Sequence, residues 1–237
     1  MKQKKIEKKY AEKAIIFDSG ALISFSMNGV LDIIKNLKSI FHGKFLITSQ
    51  VKREVIDTPL NIRKFELEAL KIRQLLNDHV LDMPSSLGIK DSEINEGCNR
   101  VMNTANSTFS GREKDIHIVD LGEASCIALS KILTEKGMEN VIAIDERTTR
   151  LLVEKPENLK NIFQDRMETR ISIRNQNLKE FKDFKIIRSP ELAYVAYKKG
   201  LVGLAGDGMV LDALLYSLKF KGAAISGDEI AEIERMK

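Results

Sequence analysis

Six acidic residues stand where a folded chain could bring them to one place. Asp18 ends the apolar run AIIF (14–17) in AIIFDSGALISF, and Asp145 ends VIAI (141–144) in VIAIDERTTR, with Glu146 beside it. Glu54 lies in TSQVKREVID, directly after FLIT (45–48), while Asp120 and Glu123 head the segment VDLGEASCIALS. Asp120 and Glu123 are three apart, so on a helix they share one face. Converging carboxylates repel, and each buried charge is costly unless it is paired or bound to a cation. With no Lys or His adjoining Asp18 in sequence, a divalent metal is the natural partner, and an oxygen-only ligand set selects Mg²⁺ or Mn²⁺ over zinc or copper. Each acid also has a plain structural role open to it. Asp18 and Asp145 can cap the helices that follow them, Glu54 can be a solvated helix residue, and Asp120 with Glu123 spells a capping box.

Other chemistries find little support. His42, His79 and His117 lie far apart without metal-ligand spacing, and Cys98 and Cys126 form no CxxC pair, which argues against a zinc site, a disulfide framework or a Ser/His/Asp triad. The glycines at 205–208 (AGDG) lack a P-loop lysine and the GxGxxG spacing, and read as a turn. Phosphoryl transfer with an aspartate after the first strand wants a second acid two residues on, where this chain has Gly20.

The elements that must position these acids follow from hydrophobic pattern. AIIF, FLIT, VIAI and KIIR (185–188) are continuous apolar runs, as expected of parallel strands covered on both faces, and HVLDM (79–83) is a fifth candidate. Helical patterns fall between them, near 20–39, 50–57, 61–78, 92–105, 121–136 and 147–155. Alternation of this kind predicts an α/β fold with a mostly parallel sheet, in which function gathers at the carboxyl ends of strands. SGDE (226–229) is a capping box opening a last helix. Two stretches read as additions: 103–117, rich in Asn, Ser and Thr, as a long loop, and 156–182 as one charged amphipathic helix striped by Arg166, Arg170 and Arg174.

Composition sets the outer limits. The chain has 237 residues, 43% of them hydrophobic, enough for one sizeable core. No apolar run approaches a membrane span and no apolar h-region follows the N-terminal lysines, so the expectation is a cytoplasmic protein without a membrane partner. The net charge of +4 belongs to residues 1–13, with six Lys and two Glu, because the rest carries 32 basic and 32 acidic side chains. That basic tail is expected to be solvated.

The acidic segments, in their order, resemble the PIN-domain family, which includes metal-dependent ribonucleases and VapC-type toxins. IIFDSGALISF resembles that family's first strand with its leading acid, LITSQVKREVID the helix of the second, DLGEASCIALS the third in a GE-containing branch, and AIDERTTRL the fourth. The stretch GLVGLAGDGMVLDALLYSLKFKGAAISGDEIAEIE is similar to the closing helices of that branch. The resemblance implies a three-layer α/β/α sandwich over 14–237, carrying the insertions near 103–117 and 156–182. It implies Mg²⁺- or Mn²⁺-dependent endonucleolytic hydrolysis of RNA, with Asp18, Glu54, Glu123 and Asp145 as catalytic acids. The metal would be held by Asp18, Glu123 and Asp145, with Asp120 a further ligand and Ser19 and Glu146 as helpers. Lys52, Arg53, Arg147 and Arg150 flank these acids and are the expected backbone contacts to RNA. A homodimer and an antitoxin-like protein partner are implied by the family alone. The alternative is a non-catalytic module of the same fold that binds nucleic acid or protein.

Overall fold

The structure, a computed structural model, describes residues 13–204 and 209–236. The basic tail before Lys13 and the turn expected at 205–208 lie outside the described residues.

The chain opens with β1 (Lys13–Phe17) and α1 (Ser19–Met27), then α2 (Asp32–Ile40) and β2 (Lys44–Leu46). The helix expected over 20–39 is therefore two, separated at Gly29, whose φ of 70° lies in the left-handed region that glycine tolerates without strain. Next come α3 (Ser49–Lys52), running into a π-turn over Arg53–Asp57, and α4 (Glu66–Asn77). α5 (Asp91–Asn106), the hairpin of β3 (Phe109–Gly111) and β4 (Lys114–Asp115), and α6 (Leu121–Glu135) follow. Then come β5 (Glu139–Ala143), α7 (Arg147–Glu154), α8 (Pro156–Met167), β6 (Ile171–Ile173) and α9 (Asn175–Leu178). β7 (Ile186–Ile187), α10 (Ser189–Lys198), α11 (Met209–Phe220) and α12 (Gly227–Arg235) complete the described chain.

Four strands form a parallel sheet in the order β2-β1-β5-β7. The HVLDM segment joins its edge through one parallel bridge, Leu46 to Asp82, rather than as a full strand. Residues 14–17, 45–48 and 142–145 are buried without a break, so both faces of these strands are covered. The order of strands reverses between β1 and β5, and a crevice at the carboxyl ends beside such a reversal is where open α/β sheets bind ligands.

α6 is the central helix. Every residue from Gly122 to Ser130 is buried, a pattern that a helix shows only when packed on all sides. Against α5 the approach is close: a Cβ on Gly97 would sit 3.0 Å from that of Ala128. The Cys126 thiol donates to the Phe17 carbonyl (3.7 Å), tying α6 to β1.

Two expectations are corrected. The long loop at 103–117 is instead the end of α5 followed by the β3–β4 hairpin, because Phe109 is fully buried and its strand has a partner elsewhere in the chain. The single arginine-striped helix over 156–182 is also broken. α8 stops where Glu168 takes a left-handed conformation, and the chain then extends into β6. β6 pairs antiparallel with β3, so the two stretches read as separate additions form one small sheet, β4-β3-β6. Phe109 and Phe163 pack edge-on beneath it, and Arg174 pairs with Asp115 (2.7 Å) rather than extending a stripe.

Candidate active site

The carboxyl end of β1 delivers Asp18 into a cleft of about 360 Å³ lined also by Ser19, Glu54, Asp120, Gly122 and Glu123. Asp18 caps α1: its Oδ2 accepts from the Gly20 backbone N–H (3.2 Å). The plain capping role is thus real, and it uses one oxygen. The other, Oδ1, is buried and has no hydrogen-bond partner among the described residues. Burial first, then the nearby Glu54 and Asp145 charges, push this carboxyl up to about 7, against the pull of the Gly20 and Ser19 N–H groups.

Glu123 enters from the first turn of α6. Its Oε2 accepts from the Asp120 backbone N–H (3.0 Å) and from the Thr149 hydroxyl (2.9 Å). Burial, followed by the Asp18 charge, raises it to about 8. Asp120 supplies its N–H to this arrangement while its own carboxylate turns outward to His117 (2.7 Å), with the side chain 83% exposed.

Glu54 reaches the same cleft from the π-turn after α3. Thr48 caps α3 by accepting from Val51 N–H (3.2 Å) and shares a buried hydroxyl bond with Ser125 of α6 (2.7 Å), which fixes the two helices together. A Cβ on Gly122 would lie 2.8 Å from both oxygens of the Glu54 carboxylate. The absence of a side chain at Gly122 lets the Glu54 carboxylate rest on the backbone of α6 near its N-terminus, where the helix dipole favours negative charge.

Asp145 is buried beside Asp18 but is engaged differently. Its Oδ1 accepts from the Ser189 backbone N–H (2.7 Å), and its Oδ2 from the hydroxyls of Ser24 (2.8 Å) and Ser189 (2.6 Å). It therefore caps α10, 44 residues further on, rather than the helix that follows it, and is not among the residues that line the cleft. Glu146 takes the local role, capping α7 by accepting from the Thr149 N–H (2.7 Å). Asp145, expected on a metal with Asp18 and Glu123, thus also receives three donors from Ser24 and Ser189.

The basic residues divide. Lys52 is paired with Asp57 at 2.6 Å, and Arg150 is largely buried between Glu154 (3.6 Å) and Glu229 (3.9 Å). Arg53 and Arg147 are exposed.

No family model, curated protein or solved structure matches this chain. Among the described residues, no three His, Cys, Asp or Glu side chains are already arranged around one point as metal ligands, and no helix is long and apolar enough to cross a membrane. What the geometry itself offers a cation is a buried carboxylate oxygen without a donor among the described residues, three further acids lining the same cleft, and oxygen atoms alone. That donor set suits a hard divalent ion. Thr149, Ser24, Ser189 and Gly122 had no role in the sequence reading, since only the fold brings them to these carboxylates. The sole hint was the GE dipeptide.

Proposed function

We propose that this chain is a metal-dependent endoribonuclease of PIN-like three-layer α/β/α architecture, with Asp18 and Glu123 holding Mg²⁺ or Mn²⁺. The observation that carries this reading is the buried Oδ1 of Asp18, without a partner among the described residues, in a cleft that Glu54 and Glu123 also line at the reversal point of a parallel sheet. A buried carboxylate raised to about 7 beside another raised to about 8 is unfavourable as an ionised pair, and clusters of that kind gather at functional sites.

A divalent ion, when bound, supplies Lewis-acid polarisation of a phosphodiester and acidification of a water. The chain's own residues do the rest. Thr149 and the Asp120 N–H hold one oxygen of Glu123 and leave the other available. Glu54, seated over Gly122 at the cleft wall, is placed to orient a water or accept its proton. Asp145 is a positioning residue that locks the strand end to α1 and α10 and adds to the negative field at Asp18. Ser19 lines the cleft beside Asp18.

The test is cleavage of a labelled single-stranded RNA in Mn²⁺, Mg²⁺ or EDTA, comparing the wild type with Asp18→Asn and Glu123→Gln. Metal-dependent cutting lost in both variants supports the reading. Equal cutting by all three proteins, or none by a wild type that also fails to take up Mn²⁺, overturns it; Mn²⁺ uptake without cutting favours a binding module.

A further inference from the structure

α7 presents different residues to its two sides. Thr149 turns inward to Glu123, while Arg147, Arg150 and, just past the helix end, Lys155 line a pocket of about 440 Å³ closed by Asn158, Ser226 and Glu229. Two acids stand in that wall and both are engaged: Glu154 pairs with Arg150 (3.6 Å), while one oxygen of Glu229 accepts from Arg188 (2.9 Å) and the other from the Ser226 backbone N–H (2.8 Å). Arg147 and Lys155 are exposed and make no ion pair among the described residues. The Arg150 side chain is only 15% exposed, its two ion pairs are longer than hydrogen bonds, and its buried Nε has no acceptor among the described residues. Buried donors are normally satisfied, and a water or an anion is the usual partner of one that finds no protein acceptor. With both acids engaged, the pocket presents Arg147 and Lys155 as cations without an ion-pair partner among the described residues.

We propose that this pocket holds a backbone phosphate of single-stranded nucleic acid whose reacting bond lies in the acidic cleft on the other side of α7. The inference rests on the nuclease reading above. A guanidinium fork matches phosphate oxygens in pairs, which a hydrated small cation or an apolar ligand does not. The acidic cleft repels a polyanion, so the affinity that brings RNA to it must come from beside it. An α-helix is about 10 Å across, so a strand lying over α7 reaches both sites.

The experiment is fluorescence anisotropy of a labelled 12-nucleotide single-stranded RNA with the full chain in EDTA, from 50 to 300 mM salt. The double variant Arg147→Gln/Lys155→Gln changes only exposed side chains and is checked by its melting temperature. It is compared with Lys71→Gln/Arg73→Gln, which removes the same charge from α4. Loss of two phosphate contacts should lower affinity roughly tenfold at 100 mM salt and flatten the logarithmic salt slope by about 1.4, whereas the α4 variant leaves both near wild type. Equal loss in both variants, no loss in the pocket variant, or no binding by the wild type overturns the proposal. A preserved difference between the variants in a protein that cuts no RNA sinks the nuclease reading and leaves the phosphate pocket standing.

Discussion

Replacing Asp18 by Asn should make the metal-free protein relatively more stable as the pH rises. In the folded chain the Asp18 carboxyl is pushed up to about 7 from its ordinary 3.8, chiefly by burial and then by Glu54 and Asp145. Between those two values the native state binds a proton that the unfolded chain has released, so stability is full below the unfolded value and is lost as pH climbs to the folded one. At roughly 1.4 kcal/mol per pH unit, the whole shift corresponds to about 4 kcal/mol, of which about 3 kcal/mol falls between pH 5 and pH 8. Other groups titrate over the same range, so the measured quantity is the difference between the wild type and Asp18→Asn at each pH. Any constant cost of the amide, such as a buried N–H without an acceptor, cancels in that comparison. For a chain of this size 1 kcal/mol moves the melting temperature by about 2–4 °C, so the gap between the proteins should open by roughly 6–12 °C from pH 5 to pH 8 in favour of Asn. Adding Mn²⁺ at pH 8 should close part of it: at a hundred times its dissociation constant a ligand adds about 2.7 kcal/mol, here to the wild type alone. The same Mn²⁺ at pH 5 should do less, because it competes with protons for the carboxylates. A gap that stays flat with pH, or Mn²⁺ that stabilises both proteins equally, would refute the account of Asp18 as a buried, metal-seeking carboxylate.

Gly122→Ala should separate activity from stability: the added methyl displaces the flexible end of Glu54, and alanine favours the helix by about 1 kcal/mol over glycine. Metal-dependent cleavage should fall while the melting temperature holds or rises, and a variant that keeps full activity removes Glu54 from the mechanism. Ser24→Ala takes one hydroxyl from Asp145, whose Oδ2 then relies on Ser189 alone. A hydrogen bond to a charged group is worth roughly 1.5–3 kcal/mol, so denaturant unfolding should show a loss of that order. Thr149→Val removes the donor at Glu123, which raises that carboxyl further and weakens Mn²⁺ binding at neutral pH more than at pH 9. Isothermal titration at the two pH values reads the effect, and equal affinities for variant and wild type at both would count against it.

Much of this architecture was legible in the one-dimensional pattern, and for a definite reason. A parallel strand covered on both faces is a continuous apolar run, so AIIF and VIAI announced β1 and β5, and the acid at the end of β1 announced the crevice. The capping box at Ser226 and Glu229 is likewise a local rule, and it formed as read. What depended on pairing across the chain was not legible. Phe109 and Ile173 belong to one small sheet although 64 positions separate them, and neither stretch carries a signal for the other. The same holds within the site. From sequence, Asp18 and Asp145 are equivalent acids on strand ends. The fold makes one a cap for α10, with three donors on its oxygens, and leaves the other with a buried oxygen that no described residue satisfies. Residue type and local periodicity determine which groups are present and which elements carry them. Which carboxylate is free to bind is decided by donors that only tertiary packing brings within 3 Å.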